Sequence, residues 1–130
     1  MNALQKKDSP AAKPRRRVLI VEDNVDGARM LAKLIFSMGH EVDYAINGYA
    51  ALRLAEKFQP DIVIVDLALP DITGWAVARA LRQKPGLEGV RIYATTGQYG
   101  EAARERSLAA GCDGHFLKPF DPVVLDRLLA

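Results

Sequence analysis

The sequence predicts an α/β protein built on a five-stranded parallel sheet, doubly wound, and three observations carry that expectation. Short β-rich runs alternate with stretches of helical periodicity. The alternation recurs through the whole body of the chain, and strands separated by helices return in parallel. Residues 18–21 and 62–65 are apolar without a break, as strands are when helices cover both faces of a sheet.

Each element has its own signal. Residues 17–21 (RVLIV) form the first strand, and Asn24 caps a helix whose Val25, Ala28, Leu31, Ile35 and Met38 recur at spacings of three and four before Gly39 closes it. Residues 41–45 make a second strand, and residues 47–58 a helix with Ala51, Leu52, Ala55 and Phe58 inward, ended by Pro60. The third strand is 61–65, the most β-branched run. A loop with Pro70 and Gly74 then leads to a helix carrying Trp75, Ala78 and Leu81. After the Pro85-Gly86 break come a strand at 90–95, a helix at 101–110, a strand at 114–117 and a last helix, capped by Asp121, through Leu129.

The length of 130 residues suits one domain, at about 100–200 residues each. No apolar run approaches the roughly 18 residues of a membrane-spanning helix. The basic N-terminus is followed by no apolar segment of the secretory kind, which makes the cytoplasm the expected compartment, with no membrane partner. Cys112 is the single cysteine, and His40 and His115 lack zinc-type spacing, so disulfide and zinc scaffolds are excluded. Residues 1–17 carry a net +5 and the remainder −3. Residues 1–16 are therefore expected to be a flexible basic arm and 17–130 the folded domain. The arm reads as a solvated leader or as a weak contact to nucleic acid or a partner.

Ligands of such folds sit at the carboxyl ends of the strands. There the sequence places Glu22 and Asp23 after the first strand, Asp66 after the third, Thr95 and Thr96 after the fourth, and Lys118 after the fifth. Crowded carboxylates repel unless a cation joins them or some are protonated. Mg2+ answers that need, since it takes oxygen ligands from one or two carboxylates, water and phosphate. Lys118, ahead of Pro119, supplies a point charge for an anion, and Thr96 a hydroxyl beside the small Gly97. Taken singly, a strand-end acid is most often a cap or a solvated loop residue. In combination these groups are the parts for phosphoryl transfer onto an aspartate.

With its motifs VLIVEDN (18–24), VDLALPDITG (65–74), ATTG (94–97) and LKPF (117–120), the chain resembles the receiver domain of two-component response regulators over 17–130. The resemblance implies a flavodoxin-like sheet of strand order 2-1-3-4-5 and a phospho-acceptor at Asp66. It also implies Mg2+ held by Glu22, Asp23, Asp66 and the backbone carbonyl of Ala68, with Lys118 and Thr96 touching the phosphoryl group. The implied partners are a sensor histidine kinase or a histidine phosphotransfer domain, with a protein target downstream and no direct DNA binding. Thr96 and His115 would form the switch. His115 stands where many receivers carry tyrosine or phenylalanine, as in receivers attached to hybrid kinases, and Leu69 replaces a common methionine. No sequence is left for an output domain, so a single-domain regulator is expected, catalysing only its own phosphorylation and dephosphorylation.

Two rivals share this topology. A flavin-binding protein needs a Ser/Thr/Gly-rich phosphate loop after the first strand, where this chain has Glu22-Asp23-Asn24. A pseudo-receiver would keep the fold as a binding module independent of phosphorylation, but degenerate members lose an acid, the aspartate or the lysine, and here all are present. Neither a P-loop nor a Gly-x-Ser-x-Gly elbow occurs, which leaves hydrolase readings without support.

Overall fold

Residues 14–98 and 100–130 are described in a computed structural model of the chain. The expected arm lies outside the described residues as far as residue 13. Arg16, counted with that arm, is instead tied to the body. Its N–H donates to His40 Nδ1 at 2.9 Å, and its guanidinium donates to the carbonyls of Leu129 and Ala130 at 3.1 and 2.6 Å.

The elements alternate in chain order: β1 (Arg17–Val21), α1 (Val25–Ser37), β2 (Glu41–Ala45), α2 (Gly48–Phe58), β3 (Ile62–Asp66), α3 (Gly74–Arg82), β4 (Arg91–Thr96), α4 (Glu101–Ala109), β5 (Gly114–Leu117) and α5 (Pro122–Leu128). The strands form one parallel sheet of order β2-β1-β3-β4-β5, the order that the resemblance implies. β3 and β4 run one residue later than expected, because the ladder continues through the pairs Asp66 with Thr95 and Thr96 with Leu117.

Successive residues of a strand face opposite sides of the sheet, and the core divides accordingly. Leu19, Val21, Val63 and Val65 pack with Ala51 and Ala55 of α2 and Val77, Ala78 and Leu81 of α3. Val18, Ile20, Ile62 and Ile64 pack on the other face with Ala28 and Ile35 of α1 and Leu125 and Leu129 around α5. Each large aliphatic side chain so buried contributes about 1.5–3 kcal/mol. β1 and β3 are thus covered on both sides, which is why their sequences are continuously apolar.

Two expected core residues lie outside this packing. Val25 is 41% exposed at the start of α1. Trp75 is half-buried, with the Arg106 guanidinium 4.0 Å from its ring centroid; Val77 occupies the buried face of α3 instead. Among the described residues no helix is long and apolar enough to cross a membrane.

Candidate functional site

Parallel strands bring all their carboxyl ends to one edge of the sheet. β1 and β3 pair directly, so Glu22 and Asp23, just past β1, meet Asp66 at the end of β3. Ligand oxygens of all three lie within 4.8 Å of one another. The Asn24 N–H donates to Glu22 Oε2 at 3.1 Å and the Ala68 N–H to Asp66 Oδ1 at 3.1 Å, so local turns aim both carboxylates. Lys118 reaches across from the end of β5, donating to Glu22 Oε1 at 2.7 Å and Asp66 Oδ2 at 3.0 Å. The Lys118–Pro119 peptide bond is cis.

Burial and charge act together here. The side chains of Glu22 and Asp66 are 12% and 7% exposed, whereas Asp23 is exposed. Burial pushes the Glu22 carboxyl up, against hydrogen bonds from Lys118 and the Asn24 amide, and the Asp66 charge adds to the rise. Burial alone would lower Lys118, but its hydrogen bonds to Glu22 and Asp66 and their charges outweigh it and hold the ammonium above its usual range. Two like charges about 4 Å apart repel by about 4 kcal/mol at an effective dielectric constant of about 20. With all three carboxylates ionised, a single ammonium leaves the pocket negative, and a hard divalent cation fits the all-oxygen donor set.

Thr96 closes β4 beside the pocket. Its carbonyl accepts from the Lys118 N–H at 2.8 Å, and its hydroxyl accepts from the Gln98 N–H at 3.2 Å. Gly74 N donates to Leu67 O at 3.1 Å, and a Cβ on Gly74 would collide with the Asp66 carbonyl oxygen. Only glycine lets α3 start so close to the acidic strand end.

His115 lies in a second cluster. The Trp75 indole N–H donates to Ser107 Oγ at 2.8 Å, and Ser107 Oγ shares a hydrogen with His115 Nδ1 at 2.8 Å. His115 Nε2 is buried without a hydrogen-bond partner among the described residues. Burial lowers the imidazole pKa, the Arg104 charge lowers it further and Glu101 opposes both. The sequence signals neither Ser107 nor Trp75 as partners of this histidine. The hint for Ser107 is weak: it is the buried residue of a helix with almost no apolar face.

The family model for the response regulator receiver domain matches residues 18–130. The chain belongs to the response regulator receiver family. This receiver is 32% identical over 104 residues to the polar-differentiation response regulator DivK of Brucella anthropi, covering 80% of this chain and 85% of that protein. It is 35% identical over 104 residues to the probable transcriptional regulatory protein SilR of Salmonella typhimurium. There the match covers 80% of this chain and 45% of the relative, so the receiver spans less than half of that protein. Its fold is similar to the chemotaxis protein CheY4 of Vibrio cholerae, with a TM-score of 0.83, 28% identity, and coverage of 89% of this chain and 97% of that one. Receivers are signalling modules of two-component systems that accept phosphoryl groups from histidine kinases or phosphotransfer proteins, and they generally bind Mg2+ at an acidic pocket. In this chain Glu22, Asp23 and Asp66 form an acidic cluster at the corresponding edge of the sheet.

Proposed function

We propose that this chain is a phosphorylation-dependent response regulator in which Asp66 takes a phosphoryl group from a histidine kinase or a histidine phosphotransfer domain. The observation that carries this reading is the convergence of Lys118 on both Glu22 and Asp66, at 2.7 and 3.0 Å, with Asp23 in the same cluster. Three mutually repelling acids gathered around one lysine support this reading, because a divalent cation and a phosphoryl group would use that arrangement. Glu22, Asp23, Asp66 and the Ala68 carbonyl are the groups assigned to Mg2+, which when bound screens the phosphoryl oxygens and the carboxylates from one another.

The chain's own residues do the rest. The Ala68 N–H and Lys118 hold the Asp66 carboxylate from two sides. A carboxylate oxygen attacks phosphorus; the new P–O bond forms as the donor's P–N bond breaks, and the nitrogen electron pair leaves with the donor imidazole. Lys118 then moves its hydrogen bond to a phosphoryl oxygen, and the Thr96 hydroxyl supplies another. Those bonds draw on the loops after β3 and β4 and bias the surface of α4, β5 and α5, with His115 on β5. The output is protein contact, and residues 17–130, with Arg16 tied to them, act as the working unit.

The test is intact mass after incubation with Mg2+ and acetyl phosphate. Wild type should gain one phosphoryl group and Asp66→Asn none. An unchanged wild-type mass would favour the pseudo-receiver, and a gain retained by Asp66→Asn would move the acceptor elsewhere. Two-way exchange with a kinase or phosphotransfer domain would mark a shuttle, and one-way transfer a terminal switch. Sequence-specific, phosphorylation-dependent DNA binding by this chain would contradict an output confined to proteins.

A further inference from the structure

The loop of residues 67–73 carries Ala68, whose N–H aims Asp66 Oδ1. Its ends are anchored by the backbone: the Leu67 N–H donates to Thr95 O at 3.0 Å and the Gly74 N–H to Leu67 O at 3.1 Å. Ala68, Pro70, Asp71 and Thr73 are all exposed. Asp71 ties the middle of the loop to another element. Its Oδ1 accepts from Gly48 N at 2.8 Å and its Oδ2 from Tyr49 N at 2.9 Å, the first two amides of α2. Beside it Ile72 is seated on Gly48 so closely that a Cβ at that position would strike its side chain. Asn47 takes the next amide, Ala50 N, at 2.8 Å.

The first amides of a helix have no partner within it and favour a negative charge. Asp71 meets that need from 22 residues away in the sequence. Burial works to raise its carboxyl pKa, but the hydrogen bonds from Tyr49 and Gly48 outweigh it and hold the group below the usual range. Asp71 is therefore a charged brace between α2 and the loop, and it is not one of the clustered carboxylates.

We propose that Asp71 is a positioning residue for the acidic pocket: by pinning the loop to the N-terminus of α2 it pre-organises Ala68, and through Ala68 the Asp66 carboxylate, for a divalent cation. The inference rests on the function proposed above. An unpinned loop loses conformational entropy when the cation arrives, whereas a pinned loop has lost it already. The brace therefore acts on metal affinity and leaves the chemical step at saturating metal unaltered. Asn at this position keeps one acceptor oxygen for the two amides, and Ala keeps none.

The experiment compares wild type with Asp71→Ala, Asp71→Asn and, as a control for lost charge, Glu105→Ala on the exposed face of α4. Three quantities are measured: the Mg2+ dissociation constant by calorimetry, amide exchange of Gly48, Tyr49 and Ala68 without metal, and the rate of phosphorylation by acetyl phosphate across Mg2+ concentrations. Asp71→Ala should weaken Mg2+ roughly tenfold, the low end for loss of a group that orients a ligand, with Asp71→Asn between it and wild type. Exchange should quicken at all three amides, and the rate at saturating Mg2+ should return to the wild-type value. Glu105→Ala should match wild type throughout. Faster exchange at unchanged Mg2+ affinity, or a rate still depressed at saturating metal, would overturn the positioning role; if Asp71→Ala does not fold, the near-isosteric Asp71→Asn decides the same question by the same readouts. A wild type that neither binds Mg2+ nor gains a phosphoryl group would instead overturn the proposed function.

Discussion

The Lys118 ammonium lies 2.7 Å from Glu22 Oε1, so a cation from the chain already stands among the acids that a metal would use. Under the proposed function, the lysine screens the pocket and competes with Mg2+ for the same negative charge. Lys118→Met is expected to bind Mg2+ more tightly than wild type yet to take up phosphate more slowly, having lost the contact to the phosphoryl group. Asp23→Asn should do the reverse to the metal, weakening it by about an order of magnitude as loss of a charged ligand does. Calorimetric titration of the three proteins checks both signs; unaltered affinity in Asp23→Asn would place the ion elsewhere.

Under the proposed function, Thr96 separates accepting phosphate from reporting it. Its hydroxyl engages Gln98 N at 3.2 Å and lies at the end of β4, beside the pocket. A phosphoryl group offers acceptor oxygens that can draw that hydroxyl away. Thr96→Ala should reach the wild-type mass gain while its NMR shift changes on α4, β5 and α5 shrink. Shift changes equal to those of wild type would remove Thr96 from the switch.

Stability should fall with acidity at His115. Burial and Arg104 lower its pKa in the folded protein below the unfolded value of about 6.5. The unfolded chain then binds a proton that the folded chain refuses, so this contribution is present above about pH 6.5 and is lost as the pH falls through the lower folded value. In denaturant titrations, His115→Phe should show a shallower loss of stability than wild type over that window. Parallel curves would mean that the imidazole titrates alike in both states.

Glycine is required at one place in the site and tolerated at another. A Cβ at Gly74 meets the Asp66 carbonyl, a backbone atom that cannot swing aside. Gly74→Ala should cost about 1–3 kcal/mol or more, the range for forced overpacking. Gly97 has nothing within 4 Å of an added Cβ, so Gly97→Ala should stay within about 0.5 kcal/mol of wild type, as open surface substitutions do. Urea midpoints of the two variants measure the difference.

What the sequence by itself determined were the features written in short-range patterns. The apolar runs of β1 and β3, the caps at Asn24 and Asp121 and the acids at the strand ends follow from residues a few positions apart, and the parallel sheet then collects Glu22, Asp23, Asp66 and Lys118 at one edge. The tertiary structure alone decided which elements touch across that frame. Trp75 sits on the inward stripe by spacing, yet it turns to Ser107, 32 residues on, and Ser107 to His115. Asp71 looks like a turn residue after Pro70, yet it caps a helix that begins 23 residues earlier. Arg16 looks like part of a basic tail, yet it binds carbonyls more than a hundred residues away. Such pairings carry no periodicity, because a single side chain meets a single backbone group only after two elements have packed. The physical reason is that local pattern encodes which face of an element is buried, while the distance between two elements is set by everything packed between them.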